Sequence, residues 1–219
     1  MEGRRTVRTM VAGVTLAAAA ALATTGAASG ASPTAQTGDV CTVAAGTGDQ
    51  RCFDTLSEAL ESITGEPVTD PRVDAGDHAA IDRTIEAQNA KVLAASTDAL
   101  ASSAPSLSAA SSLTAVASTG ASNVLGALWK DKDWSGSAKL LYAATGSGCY
   151  GGTTYGFPHT SAFSMNDNIS SLTTYLNCAT TLYKDASYKG TSKTYQVDTS
   201  YVGDTMNDEA SSIVYRPRS

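Results

Sequence analysis

The chain has 219 residues, 42% of them hydrophobic and 16% charged, which suits one ordinary domain with accessory segments rather than a charge-rich disordered chain. A net charge of −6 argues against general nucleic-acid binding, which needs a basic surface. Two histidines, His78 and His159, and four cysteines exclude most multi-ligand zinc sites.

The first residues read as an address. Arg4, Arg5 and Arg8 precede an apolar, alanine-rich stretch at 10–23, and small residues then run to Ala31. This pattern predicts a signal peptide over 1–30, a mature N-terminus between about residues 24 and 36, and a secreted, extracellular protein. The apolar run is shorter than the roughly 20 residues a membrane span needs. No cysteine lies near its end, so no lipid anchor is expected there.

Residues 31–101 form an acidic, alanine-rich segment expected to be helical. Asp54 is positioned to cap a helix over 55–64, with Leu56, Leu60 and Ile63 on one face and Gly65 as its stop. A second helix is expected from about His78 to Ala101, with Ile81, Ile85, Val92 and Leu93 at helical spacing. The pair suits a pro-segment or a cap on the C-terminal domain, because two helices without aromatics build little core alone. Residues 102–122 are Ala, Ser and Thr without charge, and read as a linker.

From residue 123 the texture changes. Both tryptophans, all nine tyrosines and two of the three phenylalanines lie after residue 122. Short β-branched and aromatic runs at 124–130, 138–143, 171–176, 179–184, 192–197 and 211–215 are separated by Gly, Asn, Asp and Ser, so six strands with turns are expected. In an oxidising compartment the four cysteines should form two disulfides, with three pairings open. The simplest joins Cys41 to Cys52 and Cys149 to Cys178, each closing a loop within its own region.

A repeat runs through this C-terminal part. The string Trp129–Lys130–Asp131–Lys132–Asp133–Trp134–Ser135–Gly136 matches Tyr183–Lys184–Asp185–Ala186–Ser187–Tyr188–Lys189–Gly190. Downstream, Met165–Asn166–Asp167–Asn168–Ile169–Ser170–Ser171 matches Met206–Asn207–Asp208–Glu209–Ala210–Ser211–Ser212 in the same order. The aromatic pair should bracket a folded hairpin, and the glycine should sit at positive φ. The Asn/Asp/Ser loops offer hard oxygen donors, the ligand chemistry of calcium.

This double pattern closely resembles the βγ-crystallin superfamily over residues 123–217. Each copy carries a hexapeptide similar to the family's calcium signature, Asn/Asp-Asn/Asp-x-x-Ser/Thr-Ser, and the order suits a secreted bacterial, actinobacterial-like member. The resemblance implies an all-β, double Greek-key sandwich behind a small helical segment, and two calcium ions shared between the loops. One ion would take the Asn168 carbonyl, the Ser170 hydroxyl and the Asp208 carboxylate. The other would take the Glu209 carbonyl, the Ser211 hydroxyl and the Asp167 carboxylate. A carbonyl of Lys130 or Lys184 would complete each set.

Two departures stand out. The apolar position is Ile169 in the first loop and Ala210 in the second, so the second loop should pack less firmly. The first copy also holds about 13 extra residues, expected at 145–160 as a long, exposed aromatic loop that could serve as a contact surface. No nucleophile elbow or H-E-x-x-H string is present and His159 stands alone, so an enzyme is not expected. The alternative to a calcium-binding module is a proteinase inhibitor, similar to metalloproteinase inhibitors of this fold and acting on a secreted protease, or an antimicrobial toxin-like protein.

Overall fold

The computed structural model describes residues 39–102 and 121–219; the expected signal peptide and most of the expected linker lie outside them. Strand β1 (Val40–Ala44) turns through Thr47–Gly48–Asp49 into antiparallel β2 (Gln50–Phe53), and Cys41 stands opposite Cys52 and is bonded to it. This hairpin lies within the segment 31–101 expected to be helical, ahead of the two helices named there. Two helices come next, α1 (Leu56–Thr64) and α2 (His78–Ser102). Thr55 rather than Asp54 caps α1, because its side chain accepts from the Glu58 amide, while Gly65 closes the helix in the left-handed conformation as expected. Asp77 caps α2 by accepting from the Ala80 amide.

The remaining strands are β3 (Asn123–Asp131), β4 (Ser135–Ala143), β5 (Tyr155–Phe157), β6 (Ser171–Thr174), β7 (Cys178–Asp185), β8 (Lys189–Tyr195) and β9 (Ser212–Pro217). They form two sheets, ordered β2-β1-β4-β3-β6 and β5-β9-β7-β8. Within each sheet a hairpin and a later strand pair as β4-β3-β6 and β8-β7-β9, the same arrangement twice. The third strands are exchanged: β5 of the first motif pairs with β9 of the second, and Thr199 of the second bridges to Leu172 in β6 of the first. The result is an all-β, double Greek-key sandwich preceded by a small helical segment. Its two inner faces meet over Leu125, Leu128, Phe163, Met165, Ile169, Leu182, Met206, Ile213 and Tyr215, all buried.

The exchange explains what became of the segment expected as a long exposed loop. Residues 145–160 contain β5, and Phe157 and Cys149 are buried, the latter bonded to Cys178. Tyr150 is the exposed aromatic of this stretch, at 50%. A strand that must cross to the other sheet is drawn inward by its own side chains, here Phe157 against Phe163 and Tyr215.

A second core lies on the other face of the five-stranded sheet. Val124, Ala127, Trp129, Ala138 and Leu140 turn outward and are covered by Leu56, Leu60 and Ile63 of α1 and Ile81 and Ile85 of α2. Strand β3 is therefore buried on both faces, as its run Val124–Leu125–Gly126–Ala127–Leu128–Trp129 requires. Strand β1 extends the same sheet by pairing parallel to β4, Val43 opposite Leu141. The described residues 39–102 are thus a cap built onto the sandwich.

The amide of Asn89 on α2 acts as a substitute strand residue. Its Nδ2 donates to the Val124 carbonyl at 3.0 Å, and its Oδ1 accepts from the Val124 amide at 2.9 Å. Asn89→Ala should leave both groups buried and unpaired, at a cost of about 1–3 kcal/mol each, read as a lower midpoint in urea unfolding. Gly126 is held by proximity: a Cβ there would lie 2.5 Å from the Thr173 carbonyl and 2.6 Å from Tyr215 Oη. Since a backbone carbonyl cannot swing aside, Gly126→Ala should cost about 1–3 kcal/mol in the same assay.

Tyr175 ties the cap to the sandwich by donating to Asp82 Oδ1 at 2.7 Å. Burial, and then Asp82 beside it, hold its phenol well above the ordinary value, so it stays a donor. Among the described residues no helix is long and apolar enough to cross a membrane. Both disulfides are compatible with an extracellular protein.

Candidate functional site

The two hairpins are held alike. Gly136 and Gly190 have φ of 76° and 73°, and in each case a Cβ would collide with a carboxylate one turn back, Asp131 or Asp185. Ser171 Oγ donates to the Asp131 carbonyl and accepts from the Trp134 amide; Ser212 Oγ does the same with Asp185 and Tyr188. The last serine of each hexapeptide is therefore a clasp on its own motif's hairpin. The aromatic pairs differ. Tyr188 meets Tyr183 edge-on with centroids 6.0 Å apart, whereas Trp134 stacks on His78 of the helical cap.

The hexapeptide loops lie side by side and are related by the same pseudosymmetry. Met165 and Met206 anchor their starts in the inter-sheet core. Ile169 and Ala210 are both fully buried, so the smaller side chain does not leave the second loop loose. Each loop bonds to the other through its backbone: the Asp167 amide donates to Ala210 O and the Asp208 amide to Ile169 O, both at 3.2 Å. The Ser170 and Ser211 amides donate to Trp129 O and Tyr183 O.

These contacts bring the polar side chains together across the motifs. Asp208 Oδ1 lies 3.4 Å from Ser170 Oγ, and Asp167 Oδ1 lies 3.3 Å from Ser211 Oγ. Each aspartate sits at positive φ, 53° for Asp167 and 54° for Asp208, which turns its side chain to the neighbouring loop. Its second oxygen is held by the preceding asparagine, Asn166 or Asn207, at 2.6 Å in both copies. Asn168 donates from Nδ2 to Asn166 O, whereas Glu209 is exposed and its carboxylate pairs with Lys184 Nζ at 3.3 Å. Lys130 is exposed.

Oxygens 3.3–3.4 Å apart are too distant for a strong O–H···O bond, whose usual separation is about 2.7–2.8 Å. That spacing is instead the distance between neighbouring oxygens around a cation with bonds of about 2.4 Å. Both sites are at the surface, where the carboxylates can reach solvent ions. Oxygen donors of this kind, with one carboxylate each, suit a hard divalent cation. His159 is exposed and caps the short 3-10 turn Thr160–Phe163 without a side-chain bond.

No protein-family model matches the chain. No curated protein matches it either. Solved structures similar to it include βγ-crystallin domains of two bacteria. A domain from Clostridium beijerinckii is 21% identical with a TM-score of 0.34, over 42% of this chain and 97% of that one. A domain from Flavobacterium johnsoniae is 26% identical with a TM-score of 0.33, over 42% and 94%. The N-terminal domain of Protein S is 16% identical with a TM-score of 0.33, over 42% of this chain and 96% of its own.

Proposed function

We propose that this chain is a secreted, non-enzymatic calcium-binding protein that holds two ions between its paired loops and is stabilised by them. The observation that carries the reading is the crosswise approach of Asp208 to Ser170 and of Asp167 to Ser211. One ion takes the Asp208 carboxylate, the Ser170 hydroxyl and the Asn168 carbonyl. The other takes the Asp167 carboxylate, the Ser211 hydroxyl and the Glu209 carbonyl. The carbonyls of Lys130 and Lys184 complete the sets, and water fills the remaining positions. With one charged ligand per ion, affinity falls in the extracellular range, with Kd on the order of 10⁻⁴ to 10⁻³ M.

Each ion joins the two motifs, so binding opposes their separation on unfolding. At 100 times Kd one site adds about 2.7 kcal/mol to stability. Thermal unfolding with calcium and with chelator tests this. Calcium should raise the Tm of the wild type more than that of Asp167→Ala or Asp208→Ala. Equal Tm values for the wild type in both buffers would refute a stabilising role.

A further inference from the structure

A second group of ligand-type side chains lies apart from the loops, where the helical cap meets the sandwich. His78 opens α2, Asp82 lies one turn later on the same helix face, and Asp198 comes from the connection between β8 and β9. One ligand atom from each lies within 4.8 Å of the other two. His78 Nδ1 is 3.1 Å from Asp82 Oδ2, and both side chains are only 22% exposed.

The surroundings orient all three. The imidazole is stacked on Trp134 with centroids 3.5 Å apart. Asp82 Oδ1 accepts from Tyr175 Oη at 2.7 Å, and Asp198 Oδ1 accepts from the Thr174 amide at 2.8 Å. One oxygen of each carboxylate is thereby fixed by an outer partner, and Asp82 Oδ2 is turned to His78 Nδ1, the arrangement that positions metal-binding carboxylates. His78 Nε2 is buried and has no hydrogen-bond partner. Arg218, whose charge Asp198 feels, donates its N–H groups to the carbonyls of Cys178 and Thr174 instead. Among the described residues no lysine or arginine pairs with either carboxylate.

We propose that His78, Asp82 and Asp198 bind one divalent transition cation of the zinc class, which staples α2 to the sandwich. One imidazole nitrogen and two carboxylates form a three-ligand set that leaves a position for water. A nitrogen and an oxygen 3.1 Å apart are close to the roughly 3.3 Å between ligands on a tetrahedral ion with bonds of about 2.0–2.1 Å. Imidazole directs the choice toward zinc-like ions and away from calcium. The site is independent of the loops, since it uses none of their residues.

Zn²⁺ titration of the untagged, chelator-stripped full chain in excess Ca²⁺ tests the proposal, with Co²⁺ absorption as a second readout. The wild type should bind one Zn²⁺ and develop the visible band of four-coordinate Co²⁺. Asp198→Asn, which can still accept from Thr174, and His78→Gln should each weaken binding at least ~10-fold with an unchanged far-ultraviolet circular dichroism spectrum. The double variant Asp167→Ala, Asp208→Ala should bind Zn²⁺ as the wild type does. Absence of saturable Zn²⁺ binding, undiminished binding in both cap variants, or loss of binding in the loop variant would overturn the assignment.

Discussion

A chain cut to residues 123–219 should fail to unfold cooperatively and should aggregate, whereas the chain from residue 39 should not. The cut removes α1, α2 and β1 together. It exposes Val124, Ala127, Trp129, Ala138 and Leu140, a contiguous apolar face that the helices now cover. It also frees the edge of β4, which β1 occupies, and an open apolar edge is a template for pairing with another chain. The amide and carbonyl of Val124 lose Asn89 in the same step. Within the intact chain the same core is open to milder tests. Leu60→Ala or Ile81→Ala, each removing a fully buried side chain, should cost about 2–5 kcal/mol. A soluble, monomeric 123–219 fragment melting within a few degrees of the longer chain would show that the helices and β1 contribute nothing essential.

Calcium affinity should couple Asp208 to Ser170 and Asp167 to Ser211, and not the pairs within one loop. If an ion lies between Asp208 and Ser170, removing either ligand disables the same site, so Asp208→Ala and Ser170→Ala combined should weaken that ion hardly more than Asp208→Ala alone. Asp167→Ala and Ser170→Ala fall on different ions, and together should damage both. Double-mutant cycles on calcium affinity read this directly, because groups sharing one partner are non-additive while independent sites add within about 0.3–0.5 kcal/mol. Coupling between Asp167 and Ser170, with none between Asp208 and Ser170, would place each ion within a single loop and remove the reason for calcium to bind the motifs together.

Six of the seven strands from residue 123 onward were legible because turn residues punctuate runs rich in β-branched and aromatic residues. The helix over residues 55–64 was legible from its apolar stripe and from Gly65. A cap was one of two readings of the helical pair, but the strand it covers was not identified, although its signal was present. Val124 to Trp129 is apolar on both faces, while β7 carries the consecutive threonines Thr180 and Thr181 between Ala179 and Leu182. A strand apolar on both faces needs a second cover, and among the described residues α1 and α2 are the helices with apolar stripes to supply it. Strands β1 and β2 were missed because five and four residues are short and the acidic segment around them reads as helix. Even so, Thr47–Gly48–Asp49 between two cysteines is a hairpin signal. Strand β5 has three residues, one of them Gly156, too few to show a period, so its stretch read as a loop.

The candidate calcium residues were found through the repeat, and their pairing through the resemblance. Neither periodicity nor spacing says that Asp208 meets Ser170, because that depends on the exchange of third strands between sheets. Asp198 was invisible for the same reason. His78 and Asp82 share a helix face at a spacing readable in the sequence, but Asp198 reaches them only when the β8–β9 connection bridges to β6, Thr199 opposite Leu172. Counting histidines and cysteines, which argued against most zinc sites, overlooks carboxylates that folding delivers to a single histidine.

Isothermal titration of the chelator-stripped full chain with calcium bears most directly on the central claim that the paired loops hold two ions. Saturable heat corresponding to two ions per chain, with Kd on the order of 10⁻⁴ to 10⁻³ M and no such heat from the Asp167→Ala, Asp208→Ala variant, is the predicted result. No saturable heat from the wild type at millimolar calcium, or binding unchanged in the double variant, would contradict it.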